Sequence, residues 1–189
     1  MTNKTDEQLV ADYLAGDNTA INFLVERYLV PIFNFIWRYV HSSADAEDVV
    51  QEVFVKAWRH LARFDQTKKF KAWLFAIARN AALDFLKKKK TLNFSDLVTS
   101  EGDNPAIDNL ADPAPLPADL FDQSNLAETL NHTMSELPAS YQQVLELYYH
   151  EELNLREISE VLDAPVDTIK SRHRRALIAL RNILLKNKE

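Results

Sequence analysis

The sequence predicts an all-α protein of two helical domains joined by an acidic, flexible linker. Three observations carry this. Only 2 glycines occur in 189 residues, and no stretch alternates apolar and polar residues at the period of a strand. Apolar residues instead recur at spacings of three and four within two long blocks. Between the blocks, prolines at 105, 113, 115 and 117 stand among Asp, Asn and Ala with no helical period. The organisation that follows is a first helical domain over 1–90, a linker over 91–122 and a second helical domain over 123–189.

Thr5 and Gln8 have the spacing of a capping box and open a first helix that ends before Gly16. A second helix begins near Asp17 and Asn18 and runs through FLVERYLVPIFNFIWRYV, where Pro31 predicts a kink or a break into two helices. A third starts after Ser43, with Asp45, Glu47 and Asp48 at the positive end of its dipole. Its core face is Ala46, Val50, Val53, Ala57 and Leu61, which leaves Glu47, Asp48, Gln51 and Glu52 on exposed faces. Those four form either a solvated acidic surface or a surface for a partner.

The fourth helix carries two adjacent stripes. Phe70, Leu74, Ile77, Ala81 and Phe85 make an ordinary core stripe, whereas Trp73, Ala76, Asn80, Leu83 and Lys87 mix an aromatic, an amide and a cation. Lys68, Lys69 and Lys71 surround its start and Lys87 to Lys90 close it. Although the net charge is −6, the span Lys56 to Lys90 holds 11 basic and 2 acidic residues, so positive charge is concentrated here. Basic residues interleaved with Phe64, Phe70, Trp73 and Phe75 suit single-stranded nucleic acid, cations tracking phosphates while aromatics stack on bases. The alternative is that the aromatics are core and the lysines sit at the negative end of the helix.

In the second block a helix around Leu126, Leu130 and Met134 ends at Leu137-Pro138. Pro138 takes the first position of the next helix, which places Tyr141, Val144, Leu145 and Tyr148 on one face. Asn154 with Glu157 forms a capping box for a helix that turns Leu155, Ile158 and Leu162 inward. Asp163-Ala164-Pro165 makes a turn, and a last helix buries Ile169, Ala176, Leu177 and Leu180 while Lys170, Ser171, Arg172, Arg174 and Arg175 point outward. This is the outline of a helix-turn-helix, whose second helix can lie in the DNA major groove. From Lys170 to Lys188 there are 7 basic residues and no acidic one, which favours DNA contact over a merely charged surface.

Other classes are excluded or disfavoured. With no cysteine, disulfides and thiolate metal sites are ruled out, and a reducing cytoplasm is the expected location. The opening MTNKTDEQ has no apolar signal core, and no apolar run approaches membrane-spanning length, so membrane insertion is not expected. The carboxylates Glu47, Asp48 and Glu52 have no His in a ligand spacing, and no phosphate-cradling glycine loop exists. No catalytic residue, metal or cofactor is therefore expected.

Taken together, DAEDVVQEVFVKAW (Asp45 to Trp58), FKAWLFAIARNAALDFL (Phe70 to Leu86) and LPASYQQVLELYYHEELNLREISEVLDAPVDTIKSRHRRAL (Leu137 to Leu177) resemble the extracytoplasmic-function class of sigma-70 RNA polymerase sigma factors. The resemblance covers roughly Glu7 to Lys90 and Gln123 to Lys186. It implies a sigma region 2 bundle before the linker and a sigma region 4 helix-turn-helix after it. It implies partners too: core RNA polymerase through the clamp helices of its largest subunit, promoter DNA, and an anti-sigma factor able to hold the chain at the membrane. Polymerase contact would fall on Asp48, Gln51 and Glu52, with Val49 and Phe54 nearby. In the downstream (−10) element, Asn80 and the loop from Phe64 to Lys71, with Lys68 and Lys69, would cradle a flipped base. Trp73, Arg79 and Lys87 would support the open strand. The upstream (−35) element would be read as duplex by Thr168, Lys170, Ser171, Arg172, Arg174 and Arg175. The linker would then mimic RNA in the polymerase's transcript path, or serve as a tether that masks the basic DNA surfaces.

The chain also departs from the family's pattern. Asp167 and Glu152 stand where glycine is common, and His173 replaces a large apolar residue, which points to packing of a neutral ring. A dimeric helix-turn-helix regulator is the alternative, though it gives the aromatic and basic fourth helix no task.

Overall fold

A computed structural model describes residues 4–92 and 132–186, and these are helical throughout their regular structure. The linker tract beyond Leu92 and the turns at Leu126 and Leu130 lie outside the described residues. The helices group into two units.

In the first unit, α1 (Asp6–Leu14) begins at Thr5, whose hydroxyl accepts from the Gln8 amide while the Gln8 side chain accepts from the Thr5 amide. Both halves of the expected capping box are thus present. Helix α2 (Ala20–Val40) runs through Pro31 as one element. Of the two outcomes expected at Pro31, a kink or a break, the break does not occur, because the missing amide removes one hydrogen bond and the apolar face on both sides of it stays buried. Leu24, Tyr28, Ile32, Phe35 and Ile36 are all buried along that face. The Ser42 hydroxyl accepts from the Asp45 amide and starts α3 (Ser43–His60), one residue earlier than the sequence suggests. All five expected core positions, Ala46, Val50, Val53, Ala57 and Leu61, are buried. A 3₁₀ turn (Leu61–Arg63) leads to the loop before α4 (Phe70–Leu92).

Helices α2, α3 and α4 pack on one another, and α1 lies against α2 and α4. The buried side of α4 is broader than the predicted stripe, with Phe75, Ala78 and Ala82 joining Phe70, Leu74 and Ala81, while Ile77 and Phe85 are half-buried. A central helix touched by three others has to bury more than one stripe.

The second unit contains α5 (Ala139–Leu145), which widens into a π-helical turn (Glu146–His150), then α6 (Leu155–Val161) and α7 (Val166–Lys186). Pro138 is the residue before the first helical position of α5, one place earlier than expected. Leu137 and Leu145 pack on Ala176 of α7, with Met134, Tyr141, Leu177 and Leu180 around them. Asn154 and Glu157 exchange their hydrogen bonds at 2.9 and 3.0 Å, the reciprocal cap of α6. Glu152 (φ 55°) and Asp163 (φ 46°) hold left-handed backbone at the two turns flanking α6. Carrying a side chain there strains Glu152, since left-handed backbone favours glycine. No helix among the described residues is long and apolar enough to cross a membrane.

Candidate functional site

Two surfaces, one per unit, carry the candidate residues. On the first, α4 turns its second stripe outward: Asn80 and Lys87 are exposed, and Trp73 and Arg79 are half-buried. Lys68 and Lys69 are exposed in the preceding loop and Lys71 is half-buried on the first turn. The loop is shaped by Asp65, whose carboxylate accepts from the Thr67 hydroxyl at 2.7 Å and the Thr67 amide at 3.0 Å. Those two bonds hold the Asp65 carboxyl below its ordinary range. An acid within a basic loop is thereby tied to the backbone as an Asx turn.

The aromatics separate into two kinds. Phe64, Phe70 and Phe75 are core side chains, so Phe64 does not present a stacking face. It meets Phe70 edge-on at 5.8 Å, and Trp73 packs on both, at 5.1 Å from Phe64 and 5.6 Å from Phe70. Of the four, Trp73 alone keeps part of its ring accessible. Arg79 lies beside the Tyr39 phenol; burial pushes that phenol up to about 12, and the guanidinium acts in the opposite direction.

On α3, Asp48 and Gln51 are exposed and Glu52 is half-buried in an ion pair with Lys56 at 2.7 Å. Val49 and Phe54 are core residues instead, because they lie on the side of α3 that faces the bundle. Sequence reasoning missed the neighbouring feature. An apolar groove of ≈ 340 Å³ runs between α2 and α3, lined by Leu29, Val30, Phe33, Glu47, Val50 and Gln51. Leu29 and Val30 are exposed at its edge. Helix α2 is apolar nearly all round, so its pattern alone does not distinguish buried leucines from exposed ones.

On the second surface, α7 displays Lys170 and Arg174 fully, with Thr168, Ser171, Arg172 and Arg175 half-buried. Asp167 does not cap the helix through its side chain; it pairs with Lys170 at 3.1 Å. His173 is packed, as its place in the sequence suggests. Its ring lies 4.5 Å from Tyr148 and stacks on Tyr149 at 5.8 Å, and its Nε2 is buried without a hydrogen-bond partner. Burial holds the imidazole below its ordinary value. The folded unit therefore favours the neutral ring. Its contribution to stability is present above the unfolded value of about 6.5 and is lost as pH falls below it. Calorimetric melting should show a lower transition at pH 5.5 than at pH 7.5, and a smaller drop for His173→Leu. An equal drop in both chains would remove His173 as the source.

Comparison with known proteins covers the segments that form both units. The family model for Sigma-70 region 2 matches residues 24–91, and that for Sigma-70, region 4 matches residues 133–182. The chain is 35% identical over 171 residues to the ECF RNA polymerase sigma factor SigW of Bacillus subtilis, covering 89% of this chain and 91% of the relative. It is 34% identical over 179 residues to the ECF RNA polymerase sigma-E factor of Escherichia coli K12, covering 94% and 93%. Among solved structures, CnrH in complex with the cytosolic domain of CnrY aligns with a TM-score of 0.62 at 24% identity, over 96% of this chain and 97% of the other. The sigma factor RpoE in complex with the anti-sigma factor NepR from Bartonella quintana gives 0.60 at 22% identity, over 87% and 96%. These two share the fold.

Proposed function

Because this chain belongs to the extracytoplasmic-function class of sigma-70 RNA polymerase sigma factors, which direct transcription initiation, we propose that it grips promoters at two points with the two surfaces described above. As a sigma factor it is a subunit that binds RNA polymerase and is not an enzyme. The observation that carries the two-point reading is the division of labour on α4. Its aromatics are mostly core, yet Trp73, Arg79, Asn80 and Lys87 reach the surface beside a lysine-bearing loop.

In this reading the first unit captures the −10 element after it opens. Asn80, with Lys68, Lys69 and Lys71 of the loop and first turn, receives an extruded base, and Trp73, Arg79 and Lys87 hold the strand. Phe64 forms the packed floor of that loop. Extruding a base costs a few kcal/mol, and base contacts plus phosphate contacts offset this in the open state only. Binding that distinguishes open from closed DNA drives opening without any chemistry by the sigma factor. The second unit reads the −35 element as duplex, α7 entering the major groove with Thr168, Lys170, Ser171, Arg172, Arg174 and Arg175.

Polymerase docking falls on Asp48, Gln51 and Glu52 of α3, facing the clamp helices of the largest subunit. The groove beside them supports this, since Leu29, Val30 and Phe33 supply the apolar centre that a stable interface needs within a polar rim. Val49 and Phe54 act from beneath by holding α3 in place. We place this work in the cytoplasm, under an anti-sigma partner that occludes one or both units, as the two solved relatives are themselves captured by partner proteins.

Run-off transcription with core polymerase on a genomic promoter library tests the whole reading. Promoter-specific transcripts that require both core and this chain are expected. A chain that binds duplex promoters as a dimer, yet gives no transcript with core, would instead be a helix-turn-helix regulator.

A further inference from the structure

Helix α1 lies outside the residues matched by the region 2 family model, which begin at position 24. It nevertheless reaches the start of α4. The Glu7 carboxylate accepts a hydrogen bond from the Phe70 amide at 3.3 Å, across 63 residues of sequence. Phe70 opens α4, and its amide is one of the donors that a helix leaves without an internal acceptor. Glu7 thus caps α4 from another helix, and its charge lies at the positive end of the α4 dipole.

The helical turn that carries Glu7 is tied down by its neighbours. Thr5 and Gln8 fix the first turn of α1, and Asp6 receives both the Arg27 guanidinium and the Tyr28 hydroxyl. The Tyr28 ring then meets Phe70 edge-on at 5.7 Å, and Phe70 supports Phe64 and Trp73. The backbone of α4's first turn is therefore gripped from two sides: Glu7 on its amide and Tyr28 on its ring. An acid so close to a DNA-binding loop repels phosphate, so its presence calls for a compensating task.

We propose that Glu7 is a positioning residue for promoter opening: by accepting the Phe70 amide it fixes the first turn of α4, and with it Lys69, Lys71 and Trp73, in the arrangement that receives the unpaired base. This rests on the −10 reading given above. The acceptor atom matters more than the charge, so Glu7→Gln preserves the function and Glu7→Ala does not.

The test uses holoenzyme assembled from core polymerase and the full chain, carrying wild type, E7A, E7Q or N80A. Opening is followed by permanganate reactivity of unpaired thymines, and core affinity is measured separately by fluorescence titration. E7A should slow opening about tenfold, the scale of one lost side-chain cap on a helix-start amide. Its core affinity should stay unchanged, and E7Q should remain within about twofold of wild type by the same reasoning. Three results would overturn the proposal. They are E7A opening at the wild-type rate while N80A is slow, E7A and E7Q slowed equally, or E7A losing core affinity in step with opening. Should N80A itself open at the wild-type rate, the −10 reading falls first and the role of Glu7 falls with it.

Discussion

Alanine at both Lys170 and Arg174 is expected to weaken binding to the upstream promoter duplex by about a hundredfold, while the chain melts as the wild type does. The two side chains lie one turn apart on α7 and are both exposed. A cation that reads guanine in the major groove contributes about 1–3 kcal/mol of discrimination, so losing two gives roughly the stated factor. Stability is spared because neither residue belongs to the packed face formed by Ile169, Ala176, Ile178 and Leu184. Anisotropy with the promoter duplex and a scrambled duplex checks both magnitude and selectivity. The true site should lose more than the scrambled one. Equal small losses on both would leave α7 as a charged surface helix and remove it as a reader.

Phe70→Ala is expected to destabilise the first unit by about 3–5 kcal/mol, a large share of the stability of a domain this size. Phe70 is fully buried and makes edge or tilted ring contacts with Tyr28, Phe64 and Trp73. Removing it leaves a cavity bordered by three rings that cannot all close inward, and each such ring pair adds about 0.5–1.5 kcal/mol beyond its burial. Phe70→Leu should cost far less, because most of the volume is kept. Denaturant titration followed by tryptophan fluorescence suits the measurement, since Trp37, Trp58 and Trp73 all lie in this unit. A loss below about 1 kcal/mol for the alanine variant would contradict the keystone role of this ring.

Much of this architecture was legible in the sequence, and the reasons differ from place to place. The central stripe of the α3 core was readable because one face is buried and the opposite one is charged, which is the pattern helical periodicity detects; Val49 and Phe54, at the edges of that stripe, were not. The caps at Thr5 and Asn154 were readable because a capping box is local and fixed in spacing. Pro31 left a kink or a break open because a proline's cost is local, whereas the burial that keeps α2 continuous comes from α3 and α4. Phe64, Val49 and Phe54 were placed among contact residues through family likeness, and burial moves all three beneath the surfaces they were assigned to. The resemblance names segments; it does not say which side of each helix the core occupies. The groove between α2 and α3 and the bond from Glu7 to Phe70 depend on residues far apart in the chain. No period within either helix encodes them. His173 was resolved by its neighbours: Tyr148 and Tyr149 belong to a different helix, and only their rings make a buried imidazole unsurprising.

The pair between Asp167 and Lys170 has a consequence for how ionic strength acts on this protein. A cation approaching DNA displaces condensed counterions, and their release supplies the entropy that makes affinity fall as salt rises. Lys170 arrives with an anion already attached three residues away. It must exchange that partner for a phosphate or a base edge, so the net number of ions liberated is smaller than the count of cations on α7 implies. With Asp167, this chain has built part of the ionic atmosphere of Lys170 into the helix. On the proposed reading of α7, the grip on the upstream element should gain less from dilute salt and give up less in concentrated salt.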